Sequence, residues 1–231
     1  MNERAFRIAG AVLIVVVGIW AGVRIHSARM APSLAGGIPT PVGAASPPTP
    51  SDLIGESAPQ PAKIPDRLPQ FSLSNIEGKP TSIDTWNGKS LIINFWATWC
   101  APCRREIPLL EGLSGEWADR GIQVVGIAVD HRDEVITYAR QLKIGYPLLV
   151  GEQDALDVAT SLGFDSPVFP FTVFTDRRRD VVALYVGELH EAQANFILSV
   201  VQSLNKEQIE LKAARRAIAE GLRKLGPSKP G

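Results

Sequence analysis

Hydrophobic and polar positions along this chain alternate between strand-like and helix-like patterns from residue 68 onward. Continuous apolar runs at residues 91–96 and 122–129 predict strands that are covered on both faces, as in a parallel sheet. The apolar spacing at residues 133–142 predicts a helix. Because strands and helices alternate in this way, the pattern predicts an α/β fold.

Shorter segments complete the predicted domain. A turn at Glu77–Gly78–Lys79 separates two short strands and predicts a hairpin. Further strands are predicted at residues 146–150, 169–174 and 181–186, and further helices at residues 101–120, 154–162 and 190–204. Pro108 lies inside the first of these helices, where it must break one backbone hydrogen bond.

The two ends of the chain have a different composition. An apolar run flanked by arginines predicts a membrane anchor at residues 1–30, with a cleaved signal peptide as the alternative. Residues 31–66 hold nine of the 18 prolines and predict an extended linker. A globular domain would then occupy residues 67–204. Residues 205–231 predict a charged helical extension, with a solvated helix end favoured over a contact with a membrane or partner.

The balance of charges along the chain argues against one class of partner, nucleic acid. Lysine plus arginine and aspartate plus glutamate are equal at 24 each, and no stripe of basic and aromatic residues is present. The chain therefore has no electrostatic signature of nucleic-acid binding.

The two cysteines are the candidate chemistry. Cys100 and Cys103 lie where a predicted strand leads into a predicted helix, and helix N-terminal N–H groups favour a thiolate. Cys100 can attack a disulfide of a partner, and Cys103 can then resolve the mixed disulfide. A structural disulfide over so short a loop would stabilise little, and a metal site would need more ligands. We therefore predict a redox-active disulfide with no other cofactor and no metal.

The residues around the cysteines resemble a known family. The segment F-W-A-T-W-C-A-P-C-R-R-E-I-P (residues 95–108) is similar to the active site of membrane-anchored thioredoxin-like proteins of the TlpA/ResA/CcmG (DsbE) group. The resemblance implies a thioredoxin fold with an N-terminal hairpin and with a central insertion at residues 130–165. It also implies a protein-disulfide oxidoreductase that works outside the cytoplasm.

Glu106 is the predicted acid–base residue. It follows Cys103 by three residues and so shares its helix face, and it matches a functional glutamate of ResA-like proteins. A buried carboxyl group there would have a raised pKa and could exchange protons with Cys103. The alternative is an exposed glutamate that pairs with Arg104 or Lys89.

The resemblance also implies residues that contact substrate. Pro170 corresponds to the proline that is cis and lies beside the cysteines in thioredoxin-like proteins. Phe169 before it, Trp99 and Pro102 complete the predicted substrate-binding set, with Val168 as an alternative to Phe169.

The family resemblance implies partners and a location. The substrate would be a disulfide-containing exported protein, for example apocytochrome c, and a membrane protein of DsbD/CcdA type would supply electrons. The protein would be held in the inner (cytoplasmic) membrane by one N-terminal helix, with its catalytic domain in the periplasm or another extracytoplasmic space. A disulfide-donating oxidase and a Cu(I)-handling module remain alternatives.

Overall fold

The computed structural model describes residues 63–226. The predicted anchor at residues 1–30, and the predicted linker up to residue 62, lie outside the described residues. Within residues 63–226, no helix is both long enough and apolar enough to cross a bilayer. The membrane anchor therefore stays a prediction.

In the part of the chain that the structure describes, seven strands form one mixed sheet in the order β2-β1-β5-β4-β3-β6-β7. The strands β3, β4 and β5 run parallel, and the pairs β1–β2, β1–β5, β3–β6 and β6–β7 are antiparallel. Their bounds are β1 Ser72–Asn75, β2 Pro80–Ser82, β3 Ser90–Trp96, β4 Ile122–Val129, β5 Leu148–Gly151, β6 Phe171–Thr175 and β7 Val181–Val186. The predicted hairpin is confirmed as β1–β2.

Within residues 63–226, five helices accompany the sheet and confirm the α/β class. They are α1 Ala101–Trp117, α2 Arg132–Leu142, α3 Gln153–Ser161, α4 Glu191–Asn205 and α5 Leu211–Leu225, with 3₁₀ turns at Ile83–Trp86 and Ala118–Arg120. Observed and predicted bounds between residues 91 and 205 agree within two residues, except that the end of the first predicted helix is the second 3₁₀ turn. Residues 130–165, the predicted insertion, contain α2, β5 and α3.

The central strand β3 is buried along its whole length, because side chains on both of its faces are covered. Ile92 and Trp96 belong to one apolar cluster, which α1, α2, α4 and α5 complete. Ile93 and Phe95 point to the other face and join a second cluster with α3. This two-sided burial explains why the strand has no alternating polar positions.

The C-terminal helix α5 corrects one expectation. The helix itself is confirmed, but it is not a solvated helix end, because Ala214 and Ile218 are 0% and 3% exposed and belong to the first apolar cluster. Arg215 of the same helix donates to the carbonyl of Val181 and to Asp66 at 2.7 Å each. Although this segment is rich in charged residues, α5 has a narrow apolar stripe that packs against the domain.

Candidate active site

The two cysteines form a disulfide at the N-terminus of α1. Cys100 is the residue that caps the helix, and its sulfur accepts the backbone N–H of Cys103 at 3.3 Å. Cys100 is 6% exposed, whereas Cys103 is fully buried. The sulfur of Cys100 is therefore the one that an incoming partner can reach, and a helix N–H is already directed at it.

The loop before Cys100 is held by a carboxylate from the neighbouring strand. Asp130, at the end of β4, accepts both the backbone N–H of Thr98 at 3.0 Å and its hydroxyl at 2.5 Å. These bonds hold Thr98, which lies two residues before Cys100. The sequence analysis missed Asp130, since nothing in its local pattern indicates a contact 32 residues away.

Glu106 is buried beneath the disulfide-bearing turn. It is 1% exposed, and its two oxygens accept the side-chain N–H of Asn94 and the backbone N–H of Leu189, each at 2.7 Å. Burial raises the pKa of Glu106 to about 8, although both hydrogen bonds oppose this effect. At neutral pH the carboxyl group is mostly protonated. The alternative of an exposed glutamate that pairs with Arg104 or Lys89 is wrong.

Asn94 connects Glu106 to the strand that follows Pro170. Its amide nitrogen donates to Glu106 and also to the hydroxyl of Thr172, at 3.0 Å. Asn94 and Thr172 are directly paired residues of β3 and β6. The sequence analysis assigned no role to Thr172, because the link depends on the register between two strands that are 78 residues apart.

The predicted substrate-binding residues lie on two segments. The Phe169–Pro170 peptide bond is cis, as the resemblance implies. The ring of Trp99 is 68% exposed and lies edge-on to the ring of Phe169, with their centroids 6.3 Å apart. Val168 is exposed as well, and Pro102 is partly buried at the start of α1. The structure thus places Trp99, the residue before Cys100, together with Phe169, while their role in binding stays a prediction.

Comparison with known proteins agrees with this geometry. The AhpC/TSA family matches residues 64–200. The thioredoxin-like protein YneN of Bacillus subtilis (strain 168) is 30% identical over 127 residues, which cover 53% of this chain and 71% of that protein. The thiol-disulfide oxidoreductase ResA of Geobacillus thermodenitrificans (strain NG80-2) is 28% identical over 122 residues, which cover 52% and 68%.

A solved structure is similar over the same region. It is the crystal structure of a thiol:disulfide interchange protein of the thioredoxin family from Chlorobium tepidum TLS, with 30% sequence identity and a TM-score of 0.54. The match covers 63% of this chain and 99% of that one. These similarities confirm the thioredoxin-like fold and the resemblance inferred from residues 95–108. The chain belongs to the AhpC/TSA family and is a thioredoxin-like thiol–disulfide oxidoreductase.

Proposed function

We propose that this protein reduces disulfides of exported proteins outside the cytoplasm. The single observation that carries the proposal is the order of three groups at the start of α1: an accessible sulfur, a fully buried sulfur and a buried carboxyl group. Cys100 accepts a helix N–H, Cys103 is fully buried, and Glu106 follows one turn later. This order matches the order in which a disulfide reductant uses its groups.

The first step uses Cys100. Its thiolate attacks one sulfur of the substrate disulfide, so that the substrate S–S bond breaks and its second sulfur leaves and takes up a proton. The product is a mixed disulfide between Cys100 and the substrate. Trp99 precedes Cys100 and its exposed ring lies against the partly buried ring of Phe169, so the two rings offer an apolar surface for the polypeptide around the target cysteine.

The second step uses Cys103 and Glu106. Cys103 loses its proton to the ionised fraction of Glu106 and attacks the sulfur of Cys100. The bond between Cys100 and the substrate breaks, the substrate sulfur leaves as a thiolate that takes up a proton from water, and the Cys100–Cys103 disulfide remains. A carboxyl group with a pKa of about 8 titrates close to neutral pH, which suits it to take up and return a proton. The oxidised protein then holds the proton on Glu106, which can return it to Cys103 on re-reduction.

Pro102, one of the two residues between the cysteines, supports the reducing direction. Pro102 occupies the first turn of α1 and has no N–H, so one possible donor to the sulfur of Cys100 is missing. A thiolate with fewer donors is less stabilised, and the dithiol is then the stronger reductant. The buried Glu106, when ionised, opposes a second negative charge at Cys103 in the same sense.

Location and partners follow from the predicted N-terminal anchor and the family resemblance. We propose a single N-terminal membrane helix with the catalytic domain in the periplasm or an equivalent space. Apocytochrome c is the proposed example of a substrate, since its haem-attaching cysteines must be reduced. A transmembrane donor of DsbD/CcdA type would re-reduce the Cys100–Cys103 disulfide, which is the only redox group that the proposal needs.

The test is the reduction potential of the Cys100–Cys103 couple in the purified full-length chain, equilibrated against dithiothreitol or glutathione. A value of about −270 mV or lower is expected for a reductant. A value near −120 mV, about that of a strong oxidant, would overturn the direction and make the protein a disulfide donor.

Two cysteine variants test the order of the steps. Cys100→Ser should lose reduction of a model disulfide and form no mixed disulfide with it. Cys103→Ser, the matched control, should accumulate the mixed disulfide through Cys100 because nothing resolves it. Activity that survives Cys100→Ser would contradict the mechanism.

A further inference from the structure

We propose that the ion pair between Arg105 and Glu188 is a positioning device that holds the backbone N–H of Leu189 on Glu106 and thereby sets when Glu106 takes up and releases its proton. The inference rests on the proposed proton transfer between Glu106 and Cys103. It adds Arg105 and Glu188 to the residues that control the proton on Glu106.

The ion pair is bidentate. The guanidinium of Arg105 donates through Nε to both oxygens of Glu188, at 3.1 and 3.0 Å, and through Nη2 to Oε2 at 2.5 Å. The Glu188 side chain is 13% exposed and the Arg105 side chain is 44% exposed, so water reaches the guanidinium side of the pair but little of the carboxylate. A planar fork of this kind fixes orientation as well as distance.

The ion pair lies beside the hydrogen bond that it would control. Arg105 and Glu106 are consecutive in α1, and Glu188 and Leu189 are consecutive in the loop between β7 and α4. Two neighbouring links therefore join the same two segments, one through the ion pair and one through the Leu189 N–H to Glu106. Removing the first link takes away one of the restraints on the loop that carries the second.

The same loop also reaches the proline before β6. The N–H of Gly187 donates to the carbonyl of Pro170 at 2.9 Å. Gly187 has a φ of 102°, a conformation that other residues rarely adopt. The loop at residues 187–190 thus contacts the helix that carries Cys103, the carboxyl group of Glu106 and the peptide next to the predicted substrate surface.

The groups that face Glu106 determine whether the loss of Arg105 raises or lowers the pKa of Glu106. They are the Asn94 amide on β3 with Thr172 of β6 behind it, the Leu189 N–H and Glu188 carboxylate of the loop, and the neutral Tyr146 phenol before β5, while Cys103 lies one helical turn earlier on α1. The Leu189 hydrogen bond lowers the pKa of Glu106, whereas the charge of Glu188 raises it. Loss of Arg105 removes one positively charged partner of Glu188 and loosens Leu189. Both changes raise the pKa of Glu106.

The experiment is a carbon-13 NMR titration of the Glu106 carboxyl group in the oxidised, full-length chain, with the resonance assigned from its absence in Glu106→Gln. Arg105→Gln should move the midpoint upward by about half a pH unit or more. Arg104→Gln is the matched control. It removes the same charge from the next residue of the helix, and Arg104 forms no ion pair among the described residues, so its midpoint should equal that of the wild type.

Two more variants separate position from charge. Glu188→Gln removes the carboxylate charge but keeps an oxygen for Arg105, so its midpoint should not rise. The charge exchange Arg105→Glu with Glu188→Arg restores an ion pair and should bring the midpoint back to the wild-type value or below it. A rise in Arg105→Gln that the exchange does not reverse would contradict a positioning role.

The outcomes distinguish this inference from the proposed function. A wild-type midpoint near the ordinary value would overturn both the proton transfer and the role of the ion pair. A raised wild-type midpoint, with Arg105→Gln indistinguishable from Arg104→Gln, would overturn the ion pair's role alone. The readout does not depend on the direction of the redox reaction, so a high reduction potential would leave this result standing.

Discussion

Replacement of Glu106 by glutamine is expected to change how the stability of the oxidised protein depends on pH. Burial raises the pKa of Glu106 from its ordinary 4.5 to about 8, so between these values the folded protein holds a proton that the unfolded chain releases. The stability that this proton supplies is fully present below pH 4.5. It is lost progressively as the pH rises toward 8.

The size of this loss follows from the two pKa values. They lie about 3.5 pH units apart, and each unit corresponds to ~1.36 kcal/mol, which gives a total of about 5 kcal/mol. Glutamine keeps the shape of the side chain and does not titrate. It can accept the Leu189 N–H and donate to the carbonyl oxygen of Asn94, which has no hydrogen-bond partner in the present arrangement, once the Asn94 amide turns over.

The assay is urea unfolding of the oxidised protein between pH 5 and pH 8.5. The free energy of unfolding of Glu106→Gln, relative to the wild type, should increase by about 4 kcal/mol across this range. Glu116→Gln is the control, because Glu116 is an exposed glutamate of the same helix. Parallel pH dependences for the wild type and Glu106→Gln would refute the buried, protonated carboxyl group.

Two further predictions concern packing, and urea unfolding at neutral pH measures both. Gly126→Ala should destabilise the protein by about 1–3 kcal/mol, because the new Cβ would lie 2.6 Å from Leu148 Cδ2. Gly112→Ala should instead stabilise the protein by about 1 kcal/mol, because no atom lies within 4 Å of the new Cβ and alanine favours the helix. Ile218→Ala should cost about 2–4 kcal/mol and Leu225→Ala under about 0.5 kcal/mol, since only Ile218 is buried. Equal losses of stability for Ile218→Ala and Leu225→Ala would show that α5 is a solvated helix that does not pack against the domain.

Local pattern was sufficient for the elements that are buried on both sides or that alternate regularly. The continuous apolar run at residues 91–96 predicts a strand that is buried on both faces, and β3 is such a strand. The two cysteines at a strand-to-helix junction also followed from spacing alone. The C-terminal helix shows the limit of this reasoning. Its apolar stripe is narrow, and only contact with the rest of the domain reveals that Ala214 and Ile218 are buried.

The surroundings of Glu106 were less predictable than its position. The spacing from Cys103 placed it on the right face of the helix, but its pKa depends on how much water is removed and on which donors remain. One donor is a backbone N–H, which every residue except proline possesses and which leaves no mark in a sequence. That donor comes from Leu189, 83 residues along the chain.

The sequence by itself determined the α/β class, the strand-to-helix position of Cys100 and Cys103, and a carboxyl group one turn beyond them. Each of these depends on periodicity or on spacing along a single element, which local residues control. Only the tertiary structure decided that Asn94 and Leu189 meet at Glu106 and that Arg105 pairs with Glu188. These contacts join segments that are distant in sequence, and they exist because sheet register and helix packing bring complementary polar groups together where water is excluded.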